Sequence, residues 1–582
     1  MNILTKIKDI LTSSERRGAM FLLGLMFVGM LLETLGIGLI MPSIALLMQD
    51  DWSSRYPVVQ AILERLGNPS RSKVVIWAML GLVLAYAIKN IFLAYLYWRQ
   101  TNYIYSILSG LSRRLFSSYL RQPYAFYLER NSAQLVSNVT KEVDQFVEII
   151  NSSLNAIAEG VVLVGLTVLL FSVEPVGTMI VVVVLGGAGW LFIRFTKLRI
   201  ASWGRERVRH DGLRMQQLQQ GFGGVKDMLL LGRMDEFVRQ YDVHNKGSAR
   251  AGVKRSFLQQ IPRLWLEQLA ITGLVLVILS MLSNGDGATT ILSTMGLFAA
   301  ASFRLMPSVS RILNSVQSVT FGISVVDVLH KEIKLEATMP EWHKLEKKSL
   351  PHVSVSEVAL NGVTYVYPGS SKPALEEISL TVRKGEFAGF IGPSGAGKST
   401  LVDIFLGLLN PNVGTVSMNG RDIRVEMRQW QNEIGYVPQS IYLTDGTLRS
   451  NIAFGLPADK IDESALMHSI KAAQLEALID SLSEGIETIV GERGVRLSGG
   501  QRQRIGIARA LYHNPSVIVL DEATSALDMA TEASVMEAVK AFHGEKTILI
   551  IAHRLSTVEC CDRIYRMEGG KIVAVGNPSE ML

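Results

Sequence analysis

The stretch FAGFIGPSGAGKSTLVDIFLGLL, residues 387–409, decides how this chain is read. It opens on five apolar residues of strand length and closes on the apolar, helix-forming run LVDIFLGLL. Between them stands GPSGAGKST, residues 392–400. Strand, glycine loop and helix, in that order, is the context a phosphate-binding loop requires. Gly392, Gly395 and Gly397 let the backbone curl so that its N–H groups point inward, and the helix start adds its dipole. Pro393, Ser394, Ala396 and Thr400 complete the cradle, Lys398 brings charge to the β- and γ-phosphates of a nucleotide, and Ser399 offers a hydroxyl to Mg²⁺.

Downstream, the apolar strand at 517–520 ends in Asp521, placed to hold the same ion through water. Glu522 follows it directly and is the expected general base for an attacking water. The fold expected around these residues is an α/β nucleotide-binding domain over 351–582.

Upstream the composition changes. The chain has 582 residues, too many for one hydrophobic core, and its mean hydropathy of +0.26 is high for a protein wholly in water. Residues 19–48 are apolar apart from Glu33, and at 1.5 Å per residue they give about 45 Å of helix, enough to cross a bilayer. Similar runs at 74–98, 154–171, 177–195, 264–282 and 289–309 predict a polytopic α-helical membrane domain of six spans over 1–330. A polar linker at 331–350 joins it to the second domain. The basic, amphipathic start MNILTKIKDILTSSERRGAM is expected to be an uncleaved cytoplasmic segment.

Lys and Arg collect between spans four and five, from Lys197 to Arg263, and are missing from the short turns at 172–176 and 283–288. The long basic segments are therefore expected on the cytoplasmic side. At 99–151 and 196–263 they read as membrane helices that run on into the cytoplasm and return. In the first external loop, YPVVQAILERL (56–66) sets its apolar residues on one helical face, either as a surface helix or as a cap over the loop. The net charge of +6, without a basic tail, argues against nucleic acid as a partner. The two cysteines, Cys560 and Cys561, are adjacent, which excludes a loop-closing disulfide framework and fits a reducing compartment.

The motifs GPSGAGKST, YVPQ, LSGGQRQR (497–504), VIVLDEAT, SALD (525–528) and IAHR occur in the order found in ATP-binding cassette (ABC) domains. With six expected spans ahead of one cassette, the whole chain resembles a half-size ABC exporter. The resemblance implies ATP and Mg²⁺ as cofactors, an ATP-hydrolysing translocase, and a homodimer in which two cassettes pack head to tail. It assigns adenine stacking to Tyr367, Mg²⁺ and water contact to Gln439, γ-phosphate contact to His553, and a link between the two sites to Asp528. It makes Ser498, Gly499, Gly500 and Gln501 of one copy the lid over the nucleotide held by Lys398 of the other. Segments 122–135 and 223–237 would be the tips through which the cassettes grip the membrane helices.

Within exporters, LETLGIGLIMPSIALL in the first span, the external helix and FRLMPSVSRIL in the sixth span resemble bacterial lipid-linked oligosaccharide flippases. That implies a polyprenyl-pyrophosphate glycan as substrate and the bacterial inner membrane as location, with the nucleotide-binding domain in the cytoplasm. A general exporter of lipid A-like lipids, peptides or drugs is the alternative. Arg304 and Arg311, two helical turns apart, are expected with Lys89 and Arg263 to line a basic cavity for the pyrophosphate. The competing reading has Arg263 and Arg311 snorkelling at the cytoplasmic edge and Lys89 paired with Glu33. The apolar runs exclude a soluble DNA-clamp ATPase. A gated channel or regulator built on the same cassette remains a third class, marked by ATP-dependent conductance without net substrate turnover.

Overall fold

The computed structural model describes residues 2–48, 71–173, 175–283, 288–337, 353–491, 494–522, 529–552 and 554–581. The external segment 56–66, residues 338–350 of the expected 331–350 linker, and Ser525, Asp528 and His553 lie outside the described residues, whereas residues 331–337, expected in the linker, continue the last long helix of the first unit.

Two compact units account for the chain: Met1–Gln122 with Glu129–Met339, and Pro123–Leu128 with Pro340–Leu582. The first is helical. After α1 (Ile3–Ile10) come long helices α2 (Ser13–Met48), α3 (Arg71–Leu120), α4 (Val143–Val173), α5 (Pro175–Gly223), α6 (Met234–Ser283) and α7 (Ala288–Ala337). Each predicted span falls inside one of them. Among the described residues, four stretches are long and apolar enough to cross a membrane: Ser13–Gly36, Ser72–Leu120, Ser132–Leu169 and Leu305–Leu335. At 50 residues α3 would be about 75 Å long, far more than a bilayer needs, so it runs on beyond the lipid as the charge pattern predicts.

The helices meet in a core where Ile107, Leu115, Phe146, Ile149, Val325 and Leu329 are almost fully buried. Leu80, Val83, Leu84 and Ile91 of α3 face outward, the arrangement lipid rewards and water does not. One close approach depends on a missing side chain. A Cβ on Gly204 of α5 would lie 1.9 Å from the carbonyl oxygen of Phe321 in α7, so only glycine permits that crossing. A π-helical turn (Asn138–Glu142) precedes α4 and carries two members of an ion network built on the buried carboxylates Glu142 and Asp211. Lys141 pairs with Asp211 at 2.6 Å, and Arg207 reaches both Glu142 (3.4 Å) and Asp211 (3.3 Å).

The second unit holds two sheets. An antiparallel one has the order β2-β1-β4-β5, from β1 (Glu357–Tyr365), β2 (Leu375–Arg383), β4 (Val413–Met418) and β5 (Arg421–Asp422). The other has the order β10-β9-β3-β8-β7-β6, from β3 (Phe387–Ile391), β6 (Ile434–Val437), β7 (Val517–Asp521), β8 (Thr547–Ile551), β9 (Arg563–Glu568) and β10 (Lys571–Gly576). Strands β9, β3, β8, β7 and β6 run parallel, and the central three, β3, β8 and β7, are almost wholly apolar because both their faces are covered.

Alternation along these strands separates two cores. Ile518, Leu520, Ile548 and Ile550 pack with Ile505, Ala508 and Leu511 of α9 (Gly499–Leu511). Val517, Val519, Leu549 and Ile551 pack on the other side with Leu401, Val402 and Phe405 of α8 (Lys398–Phe405). The helix after the glycine loop and the helix opened by LSGGQ therefore cover opposite faces of one sheet.

Candidate functional site

Three neighbouring strands end at the same level. Phe390 of β3 and Asp521 of β7 both register with Ile551 of β8, so the loops that follow lie side by side at the carboxyl ends of a parallel sheet. Ligands bind α/β sheets at such an edge. The first of these loops is the glycine loop. Gly392, Gly395 and Gly397 have φ of 149°, 82° and 99°, a region side chains disfavour. At Gly392 a Cβ would sit 2.2 Å from the Met567 carbonyl, and at Gly397 2.7 Å from that of Ala374. Gly395 is different: nothing among the described residues lies within 4 Å of its missing Cβ, so it is there for conformation.

Lys398 opens α8 and is buried. Its ammonium donates to the carbonyls of Gly392 (2.7 Å) and Pro393 (3.0 Å), which holds the charge in the mouth of the loop. Burial pushes its pKa below the usual lysine value, while Glu522 and Asp521 oppose that shift. Ser394 and Ser399 are exposed beside it and Ala396 is buried beneath. The Tyr367 hydroxyl lies 3.0 Å from Thr400 Oγ1, and its ring meets Tyr365 edge-on at 5.0 Å. That contact ties the expected adenine platform to the helix carrying the loop.

Asp521 is buried at the end of β7, within 3.4 Å of the Tyr436 hydroxyl. Glu522 has φ of 49°, a left-handed backbone unusual for a residue with a side chain and often found where function requires it. Its carboxylate accepts from Gln439 Nε2 at 2.7 Å. The cradle, the lysine and the carboxylate pair thus fit a nucleotide triphosphate with its metal, on donor chemistry as well as on shape.

The LSGGQ segment is a helix start of the capping-box kind. Gln501 N–H donates to Ser498 Oγ (3.2 Å), and Ser498 N–H donates to Gln501 Oε1 (2.8 Å). Ser498 is exposed at the tip. The S-x-x-Q spacing announces this cap in the sequence alone.

Two residues near the site escape the motifs. Asp403, the lone acid in LVDIFLGLL, has a carboxyl pushed up to about 6 by burial and by Asp521. Tyr124 belongs to the segment Pro123–Leu128, which clusters within the second unit, and its hydroxyl is pushed up by burial, Asp403 and Tyr367. The neighbouring Ala125 packs against the same core as α8.

A second concave site lies in the first unit, a cavity of about 430 Å³ among α2, α3, α4 and α7. Its lining mixes Met26, Leu93 and Val162 with Glu33, Tyr97, Gln100, Asn155, Glu159, Arg311 and Asn314. Arg311 is held by Glu159 through two contacts, at 2.5 and 3.1 Å. Gln100 bridges Asn151 (2.9 Å) and Asn155 (2.8 Å). Of the expected basic group, Arg311 is the one described side chain that lines this cavity. Arg263 is exposed and pairs with Glu267 on its own helix at 3.0 Å, Lys89 stands over the Tyr86 ring at 4.1 Å, and neither lines the cavity. Arg304 lies in α7, its side chain outside the described residues. The sequence signal overlooked was Glu159, a single carboxylate inside the third apolar run.

The ABC transporter transmembrane region family matches residues 21–306, and the ABC transporter family matches residues 375–525. An ATP-dependent lipid A-core flippase of Cupriavidus pinatubonensis is 30% identical over 496 residues, covering 83% of this chain and 82% of that protein. The flippase of the same description from Vibrio parahaemolyticus is 30% identical over 81% of this chain and 80% of its own length. That of Yersinia pestis is 27% identical and spans 94% and 93%. Among solved structures, a bacterial Atm1-family ABC exporter with ATP bound superposes with a TM-score of 0.74 over 97% of this chain and 96% of its own. At 22% identity that likeness speaks for the fold alone.

Proposed function

Because the chain belongs to the ABC transporter family, as a half-size, ATP-hydrolysing exporter with one membrane region and one cassette, we propose that it works as a homodimer with shared nucleotide sites. The observation that carries this is the placement of α8 and α9 on opposite faces of one sheet. A chain cannot fold its own LSGGQ tip over its own glycine loop when the sheet stands between them. A second copy, turned head to tail, can.

In that arrangement Lys398 releases the loop carbonyls and turns to the phosphates, and the loop's N–H groups complete the cradle. Tyr367 stacks on adenine. Ser498, Gly499, Gly500 and Gln501 of the other copy close the site, where a helix start favours negative charge. Ser399, Gln439 and Asp521 would hold Mg²⁺, which would supply positive charge against the phosphates. Glu522 takes the proton of the attacking water, with Gln439 fixing its carboxylate and His553 positioning the water. The six long helices each span the bacterial inner membrane, with the cassette in the cytoplasm and the segments 122–135 and 223–237 as its grips. ATP-driven closure then moves the cavity from one side to the other.

For the substrate we favour a lipid-linked oligosaccharide. The cavity among apolar helices is lined by amides, a phenol and paired charges, groups that hydrogen-bond a hydroxyl-rich head group. The second reading, a lipid A-like lipid, is favoured by the names of the relatives. ATP hydrolysis by the protein in proteoliposomes, wild type beside Glu522→Gln, separates them. Stimulation by a polyprenyl-pyrophosphate oligosaccharide supports the first, and stimulation by lipid A alone replaces it with the second.

A further inference from the structure

The nucleotide chemistry leaves Cys560 and Cys561 unused, and they are the only cysteines in the chain. They follow the short helix Leu555–Val558, where Cys561 N–H donates to the Val558 carbonyl at 3.0 Å and closes the turn. Adjacent in one turn, the two thiols each shift the other's titration. Cys560 is half-buried, with its sulfur 3.4 Å from the Thr557 carbonyl, whereas Cys561 is 5% exposed.

The inner thiol rests against the strand that delivers the glycine loop. Its Sγ lies 3.1 Å from where a Cβ on Gly389 would stand, and Gly389 is the middle residue of β3. Asp562, next in sequence, clamps the start of the same strand. Its carboxylate accepts from Phe387 N–H and its own N–H donates to the Phe387 carbonyl, both at 2.8 Å. The outer thiol has Lys540 and His543 in its field. The adjacent Cys561 thiol, with Lys540 and His543, pushes the pKa of Cys560 down to about 7 against the effect of burial, which favours attack on an electrophile.

We propose that Cys560 and Cys561 form a dithiol site for soft electrophiles that take two thiols at once, trivalent arsenicals above all, and that occupancy of this site blocks ATP hydrolysis through β3. With phenylarsine oxide the step balances without an oxidant. Two As–S bonds form, the oxygen leaves as water with both thiol protons, and arsenic stays trivalent. The bridged ring is bulkier than two thiols, and Cys561, buried with its sulfur in the notch left by the missing side chain of Gly389, gives it room only by displacing the strand under the phosphate cradle.

The test uses the full-length protein in proteoliposomes, titrated with phenylarsine oxide. Intact mass should show one arsenical per chain, with both thiols lost to a thiol reagent under denaturing conditions. Most ATPase activity should disappear, returning with a dimercaptan but not with a monothiol at equal concentration. Cys560→Ser, at the half-buried position, should keep its ATPase and become resistant; Cys561→Ser, if it folds, should do the same. No adduct at equimolar reagent, or equal inhibition of Cys560→Ser, overturns the site. An adduct that leaves hydrolysis unchanged overturns the coupling through β3.

Discussion

The glycine loop and the membrane cavity are both polar sites on apolar scaffolds, yet they are built in opposite ways. Lys398 is held by carbonyls five and six residues away, and the Ser498 cap closes over three. Arg311 of the cavity is held by a carboxylate 152 residues away, and Gln100 by amides 51 and 55 residues away. The cassette writes its site in local spacing. The membrane unit writes its site in helix packing, so no short motif betrays it. Damage should differ accordingly: a cassette lesion removes a chemical step, whereas a cavity lesion unbalances a tertiary pair.

The largest effect is expected at Glu522. Replacing it with Gln keeps the hydrogen bond to Gln439 possible and removes the base, so ATP turnover should fall by about 10²–10⁴ while ATP binding survives. Turnover and nucleotide binding measured on the same preparation decide this. A fall below tenfold would move the base elsewhere and blur the contrast with the cavity.

The cavity responds differently if its charges act as a pair. Arg311→Met leaves Glu159 uncompensated among apolar helices and should cost about 2 kcal/mol, less than a fully buried pair because Arg311 is half exposed. Adding Glu159→Gln should recover most of that loss. A double-mutant cycle on thermal stability reads the coupling, and simple additivity would mean the two side chains do not depend on each other.

Asp403 tests whether the cassette hides a non-local term of its own. Its carboxyl is pushed above the ordinary 3.8 to about 6. A group raised on folding stabilises the fold when protonated, so its contribution is present below about pH 4 and is lost as pH rises through 6. At neutral pH Asp403→Asn should therefore raise the melting temperature by a few degrees, corresponding to about 1 kcal/mol after allowing for partial exposure. The same substitution should flatten the stability profile between pH 4 and 6. An unchanged profile would contradict the burial assigned to it.

Arg263→Ala should do least, within about 0.5 kcal/mol, because its partner is four residues away on an exposed helix face. Loss of substrate-stimulated hydrolysis in that variant would return Arg263 to the transport path.

The sequence made the cassette legible because strand, loop and helix follow one another, and because Asp521 and Glu522 end an apolar strand. The long helices were legible from apolar runs and charge bias. The charge balance of the cavity was not. The cations Lys89, Arg263, Arg304 and Arg311 are plain in the sequence, but whether a cation is free depends on what faces it across helices, and Glu159 faces Arg311. Asp403 was hidden for a related reason: its shift comes from burial in the folded cassette and then from Asp521, 118 residues on, at the end of β7.

In the proposed homodimer each nucleotide is shared between two copies. In a chain with Cys560→Ser and Cys561→Ser, cysteines placed at Ser394 and Ser498 mark the cradle and the lid. Oxidation with ATP bound, in a Glu522→Gln background, should yield covalent dimers that need both new cysteines. A disulfide formed within single chains, leaving only monomers on a denaturing gel, would contradict the opposite-face argument and the shared site with it.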